Sequence, residues 1–199
     1  CKKSIKNSTQ LDNKSYINNF ELLQQNSSND RRVRITSPKA ILDPINNDIE
    51  IIESSIEILN EKVGDILVIS GNSTFNNSSN IIRVFNNVDI KFLDNKHSIN
   101  TDSFGWNLNT SIINIDSPLN LNFDNTKIIA SNGIYNINSD LLNIENSEFN
   151  RNVYNSQGKE EFQVEIKSDL TKWLNNENTL VFTSRGKQVE TTIKLLTIK

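Results

Sequence analysis

The chain has 199 residues, 35% of them hydrophobic, and a formal net charge of -3. This length suits one large β domain or two small ones. Charges of both signs are interspersed without a long basic run, which excludes the electrostatic footprint of a nucleic-acid-binding protein. No run of about 18 apolar residues is present that could span a membrane.

The single cysteine, Cys1, is the first residue, and Lys2 and Lys3 follow it. A lone cysteine forms no internal disulfide and offers no set of metal ligands. A cysteine in this place is typical of a mature bacterial lipoprotein, in which signal peptidase cuts before a cysteine that then carries acyl chains. The alternative is a chain boundary that falls on a cysteine by coincidence. We expect Cys1 to be lipidated, residues 1–15 to form a polar tether and residues 16–199 to form the folded domain.

The first folded segment has the alternating pattern of a β-hairpin. Residues 20–23 and 33–35 alternate on either side of the polar stretch 26–30. Residues 162–166 alternate in the same way after the polar turn 155–159. Clean alternation is typical of strands with one buried face.

An internal repeat occupies the rest of the chain. In each of five units a large apolar anchor is followed seven residues later by a second apolar residue, with a polar turn between them. A break in the pattern follows each second residue, as at Asn86-Asn87 and Asn146-Ser147. The anchors lie 33, 31, 29 and 38 residues apart, and a period of this size indicates a repeat architecture. The pairs are Leu42 and Ile49, Phe75 and Ile82, Trp106 and Ile113, Tyr135 and Leu142, and Trp173 and Leu180.

Two all-β folds fit these units, since no helical periodicity is present. One is an open, twisted antiparallel β-jellyroll with two facing sheets, and the other is a parallel β-helix with one coil per unit. The 34 asparagines, many in pairs, favour short turns because asparagine tolerates positive φ. Such turns close antiparallel pairs, so we expect the jellyroll.

The phrases around the anchors resemble a known family. Residues 101–106 and 130–135 resemble the small-x-x-small-x-aromatic step of the OstA-like domain, and residues 113–119 and 142–147 resemble its next two steps. This domain occurs in the lipopolysaccharide-export proteins LptA and LptC, and the likeness to LptC spans roughly residues 16–199. The resemblance implies a β-jellyroll whose apolar slot shields the acyl chains of lipopolysaccharide. It also implies other jellyroll proteins and an ABC transporter complex as partners.

The membrane anchor departs from the LptC pattern. LptC carries an N-terminal transmembrane helix, which the lipid on Cys1 would replace. No aspartate follows Cys1 of the kind that retains lipoproteins in the inner membrane of some bacteria. We therefore expect a membrane-anchored protein at the periplasmic face of the envelope, with the choice of membrane open.

Catalytic chemistry has little support in the sequence. The only histidine, His97, lies in the polar turn 94–98 and is interpreted as a solvated loop residue. The basic cluster from Arg31 to Arg34 is interpreted as a solvated strand end. Trp106 and Trp173 occupy anchor positions, which favours core over sugar-stacking roles. We expect no enzyme, no metal and no cofactor, and we interpret the carboxylates, which mostly lie in turns, as turn residues rather than as a glycosidase-like pair.

The leading hypothesis is a carrier that holds acyl chains in an apolar slot. The alternative is a β-helical surface adhesin or carbohydrate-binding lipoprotein. Alternation predicts that the slot residues point inward together. They are Phe75, Ile82, Val84, Trp106, Ile113, Ile115, Tyr135, Leu142 and Ile144.

Overall fold

The structure is a computed structural model that describes residues 14–26, 31–60, 64–94, 97–186 and 189–195. Every pairing between the strands of these ranges is antiparallel. The predicted all-β antiparallel jellyroll is confirmed, and the alternative of a parallel β-helix is wrong.

The described strands follow one another with short connections, and a 3-10 turn spans Asn175–Glu177. The strands are β1 (Ser15–Asn26), β2 (Arg31–Asp43), β3 (Asp48–Ile52), β4 (Ser55–Asn60), β5 (Ile66–Ile69), β6 (Asn72–Asn76), β7 (Ile81–Phe92), β8 (His97–Asn107), β9 (Ile112–Ile115), β10 (Leu119–Phe123), β11 (Thr126–Ala130), β12 (Asn132–Asn136), β13 (Leu141–Tyr154), β14 (Glu160–Leu174), β15 (Thr179–Thr183) and β16 (Glu190–Leu195).

Long strands shared between two short-strand ladders fold the sheet into two layers. Strand β2, for example, pairs with β4 through residues 31–36 and with β3 through residues 39–43. Strands β7, β8, β13 and β14 change partners at their middles in the same way. We call layer A the short strands β3, β6, β9, β12 and β15 with the adjoining halves of the long strands. Layer B contains β4, β5, β10, β11 and β16 with the other halves.

The inner faces of the two layers meet in one apolar core. Phe92 of layer B packs edge-on against Tyr135 and Trp173 of layer A, with 5.4 Å between ring centroids in both pairs. Both hairpins predicted by alternation are present, as β1–β2 and β13–β14. Burying a large apolar side chain fully contributes about 1.5–3 kcal/mol, so this core is the main source of stability.

The long strands bend along a line that we call the corner, where they leave one layer for the other. Asn86 and Asn87 interrupt β7 with φ of 67° and 55°, and Asn146 interrupts β13 with φ of 50°. Glu53 connects β3 to β4 with φ of 54°. Asn86, Asn87 and Asn146 were predicted as breaks between strands. The corner therefore depends on side chains that tolerate positive φ, which asparagine does better than most residues.

Pairs of buried or half-buried hydroxyls line the corner. They satisfy one another where the ladders are interrupted, because polar groups away from water need hydrogen-bond partners. Their oxygen–oxygen distances are 2.6 Å for Ser54 and Ser70, 2.7 Å for Thr101 and Ser117, and 2.6 Å for Ser147 and Thr171.

The predicted repeat is confirmed by one backbone hydrogen bond that recurs from turn to turn. The N–H two residues after an anchor donates to the carbonyl five residues after the preceding anchor. The bonds are Asn77 N to Asn47 O at 3.0 Å, Leu108 N to Asn80 O at 2.8 Å, Ile137 N to Ser111 O at 2.8 Å and Asn175 N to Asp140 O at 3.1 Å. The five turns thus stack along the edge opposite the corner, which we call the mouth.

The N-terminal predictions fall mostly outside the described residues. Cys1 and the rest of residues 1–13 are not among them, and β1 already includes Ser15, which had been assigned to the tether. Within the described ranges, the structure contains no helix with the length and apolar character needed to cross a membrane.

Gly133 tests the packing of the core near the corner. A Cβ at this position would lie 2.9 Å from both Ile144 Cγ2 and Leu119 Cδ2, two side chains without exposed surface. We expect Gly133→Ala to lower the free energy of unfolding by about 1–3 kcal/mol, as overpacking does. Urea unfolding monitored by circular dichroism measures the change.

Gly105→Ala is the matched control on the outer side of the sheet. A Cβ there meets no atom within 4 Å, so the free energy of unfolding should change by less than about 0.5 kcal/mol. Equal effects of the two substitutions would contradict the packing described for Gly133.

Candidate functional site

The anchors and their second apolar residues form one continuous row across the inner face of layer A. Each member pairs in register with the next, from Leu42 on β2 to Leu180 on β15. The row is Leu42, Ile49, Phe75, Ile82, Trp106, Ile113, Tyr135, Leu142, Trp173 and Leu180.

The nine residues predicted to line a slot all lie on this inner face. Six of them belong to the row, and the other three, Val84, Ile115 and Ile144, lie nearer the corner on the same strands. All nine are buried, with at most 3% of their surface exposed. The space between the layers is therefore filled by side chains along the middle of the row.

Both ends of the row are less covered than its middle. Leu42 and Ile49 at one end and Leu180 at the other are only half-buried. Additional half-buried apolar side chains lie on the terminal strands, including Ile17 and Leu22 on β1, Val164 and Ile166 on β14, and Phe182 on β15. The apolar inner face thus extends toward solvent at the two ends of the molecule.

Two apolar turn residues seal the mouth, and the sequence prediction missed them. Leu108 and Ile137 each lie two residues after an anchor, and 1% and 0% of their surfaces are exposed. Pro44 and Asn77 at the same position in the first two turns are exposed. The signal was an apolar residue inside an otherwise polar turn, which had been interpreted as part of the turn.

A buried arginine joins the layers at the mouth. Arg31 begins β2 in layer B, and its Nη2 donates to the carbonyl oxygen of Leu108 across the mouth at 2.9 Å. Its guanidinium also lies over the ring of Trp106, 5.3 Å from the centroid. Arg31 has no exposed surface, so the predicted solvated strand end is wrong for this residue, although Arg32 and Arg34 are exposed. Burial lowers the pKa of Arg31.

A second polar connection crosses the mouth further along. His97 Nδ1 lies 2.7 Å from Asn175 Oδ1, and Asn175 Nδ2 donates to the two carboxylate oxygens of Asp140 at 3.1 and 2.9 Å. Since the amide nitrogen faces the carboxylate, its oxygen accepts from a protonated Nδ1 of His97. Only 3% of His97 is exposed, and its ring also packs on Phe123 and Trp173. The predicted solvated loop histidine is wrong.

Burial changes the acid–base behaviour of the carboxyl in this network. It raises the pKa of Asp140, against the opposing effect of hydrogen bonds from Tyr135 and Asn175. The Tyr135 hydroxyl donates to Asp140 at 2.7 Å. Burial and the neighbouring carboxylate together raise the pKa of Tyr135 well above its ordinary value. Tyr135, Asp140 and Asn175 thus form one hydrogen-bonded group on the layer A side of the mouth, and His97 joins it from layer B.

Two surface hollows of the described residues have a more polar character than the interior. One of about 310 Å³ is lined by polar side chains that include Glu148, Lys167 and Asp169. Another, of about 290 Å³, includes Asp48 and Arg83. In the part of the chain that the structure describes, no group of histidine, cysteine and carboxylate side chains is placed to hold a metal ion. The apolar inner face and its mouth are therefore the candidate site.

A scan against models of protein families finds no match for this chain, and a search of curated proteins finds no significant relative. The candidate functional site consequently stands on its geometry alone.

Asp140 predicts a pH dependence of stability. Because its pKa is raised in the folded state, its contribution to the free energy of unfolding is fully present below the ordinary carboxyl pKa of about 4 and is lost as pH rises through the native value. The free energy of unfolding of the native protein minus that of Asp140→Asn should therefore fall over this range. Urea unfolding at a series of pH values measures this difference.

Tyr135→Phe provides a second arm of the same measurement. This substitution removes a hydrogen-bond donor that lowers the pKa of Asp140. The contribution of Asp140 to the free energy of unfolding should therefore be lost at a higher pH than in the native protein. A difference between the native protein and Asp140→Asn that is constant, or that grows with pH, would exclude a raised carboxyl pKa.

Proposed function

We propose that this protein is a cell-envelope lipid-transport component that shields the acyl chains of lipopolysaccharide or a similar lipid between its two layers. The observation that carries the proposal is the continuous apolar row on the inner face of layer A, half-buried at both ends. An apolar path that runs from end to end suits a chain-like apolar cargo. Each methylene group moved out of water contributes about 0.8 kcal/mol, so long acyl chains need no catalytic group to be held.

The filled core implies that the layers separate when cargo enters. At the corner the layers are joined by continuous strands, whereas at the mouth they are joined by side-chain contacts such as Arg31 with Leu108 and His97 with Asn175. Opening at the mouth therefore breaks side-chain contacts and leaves the strand ladders intact. The half-buried ends of the row provide the initial apolar surface.

The edges of the sheet support the proposed partners. Among the residues that the structure describes, β1 pairs only with β2, and β15 and β16 pair only with β14, so these strands have a free edge at the two ends of the described sheet. Open edges accept an additional strand from another chain. We place other jellyroll proteins there, so that apolar paths align end to end in a bridge like that of the OstA-like proteins.

The remainder of the proposal follows from the resemblance to LptC. An ABC transporter complex supplies the energy for directional transfer at the periplasmic face of the envelope. The protein acts as a carrier rather than an enzyme. The alternative, a carbohydrate-binding surface protein, receives less support because Trp106 and Trp173 are buried and so offer no stacking surface.

Photo-crosslinking at two valines of the C-terminal end tests the proposal. Val164 is half-buried on the inner face of β14, and Val181 is 45% exposed on the outer face of β15. A photoreactive residue at Val164 should capture lipopolysaccharide in envelope preparations, whereas the same residue at Val181 should not. Gel mobility and immunodetection of the lipid measure capture. Equal capture at both positions, or capture at Val181 alone, would exclude an internal lipid path.

A further inference from the structure

Arg31 is a buried cation with two unsatisfied nitrogens. Its Nε and Nη1 are buried and have no hydrogen-bond partner among the residues that the structure describes, whereas Nη2 donates to Leu108 O. The ring of Trp106 contributes a cation–π interaction with the guanidinium, which is weaker than an ion pair. Arginine remains protonated at neutral pH, so a full positive charge lies inside the mouth, and no carboxylate of the described residues forms an ion pair with it.

A charge in this position is costly for a purely structural residue. Burying an unpaired charge and leaving its donors unsatisfied destabilises the folded state, and an apolar side chain of similar volume would pack here without that penalty. Buried ions are normally paired or bind a ligand. The donors at Nε and Nη1 of Arg31 therefore suit an anionic ligand.

We propose that Arg31 binds the anionic head group, a phosphate or a carboxylate, of the amphiphile whose acyl chains lie between the layers. This inference rests on the proposed function and narrows its cargo to anionic lipids. Arginine suits the task because its planar, weakly hydrated guanidinium forms charge-assisted hydrogen bonds with both groups.

The position of Arg31 fits a cargo with an apolar tail and an anionic head. The residue lies at the mouth, where β2 begins, and it contacts Leu108, which seals this part of the mouth. Its guanidinium covers Trp106, a member of the apolar row. A head group at Arg31 would remain at the edge of the sandwich, while the chain continues inward along the row toward Ile82 and Ile113.

Binding of three simple probes to the whole protein tests this assignment. The probes are dodecyl phosphate, dodecyl maltoside and inorganic phosphate, the two amphiphiles being used below their micelle concentrations in isothermal titration calorimetry. The native protein should bind dodecyl phosphate more tightly than dodecyl maltoside, and inorganic phosphate only weakly. Arg31→Met should weaken the binding of dodecyl phosphate by about tenfold or more, the loss expected for a charged hydrogen bond, and leave dodecyl maltoside unchanged.

Arg32→Met is the matched control, since it removes the same charge from the adjacent, exposed position. It should leave the binding of both amphiphiles unchanged. Arg31→Gln is a second variant without the positive charge, and the same selective loss of dodecyl phosphate binding is expected for it. It replaces Arg31→Met in the test if that variant fails to fold.

The outcomes separate this inference from the proposed function. If neither amphiphile binds the native protein, the lipid-carrier proposal fails. If both bind and neither Arg31 variant weakens dodecyl phosphate selectively, or Arg32→Met weakens it equally, the lipid carrier stands and the role of Arg31 is wrong. If inorganic phosphate binds as tightly as dodecyl phosphate, Arg31 belongs to a site for free phosphate and not for a lipid head group.

Discussion

The structure depends on one constraint, which is that each long strand must serve two ladders that face each other. A strand in this position has to bend at its middle, and the bend interrupts the backbone hydrogen bonds of the sheet. Asparagines at positive φ, such as Asn86 and Asn146, make the bends, and hydroxyl pairs such as Ser147 with Thr171 satisfy the polar groups around them. Asparagine is thus well suited to the bends of a sheet that folds over itself repeatedly.

The same constraint makes the two long edges of the sandwich unequal. The corner is held by continuous backbone, whereas the mouth is held by side chains that meet across the layers. The buried ionisable side chains of Arg31, His97 and Asp140 also lie at the mouth, whereas the buried hydroxyls line the corner. Motion that admits a cargo is therefore expected at the mouth, where local opening costs the fewest backbone hydrogen bonds.

Local sequence patterns predicted the strands, the five turns, the breaks and the inward-facing row. These features are local and recur in each repeat unit. The spacing of seven residues between Trp106 and Ile113, or between Tyr135 and Leu142, is that of two strands joined by one short turn. The contacts that close the mouth could not be predicted in this way. Arg31 meets Leu108 across 77 residues, and His97 meets Asn175 across 78. Such pairs depend on how the two layers face each other, which no local sequence pattern records. Arg31 and His97 were therefore both interpreted as solvated.

Quenching of tryptophan fluorescence tests most directly whether acyl chains lie between the layers. The chain contains two tryptophans, Trp106 and Trp173, and both are buried on the inner face. Variants Trp106→Phe and Trp173→Phe leave one reporter each, and a bromine on the acyl chain of dodecyl phosphate quenches only at contact distance. The account predicts that the bound brominated amphiphile quenches at least one of these single-tryptophan variants, while the unbrominated amphiphile does not. Saturated binding in calorimetry with neither tryptophan quenched would place the chains outside the sandwich and contradict the account.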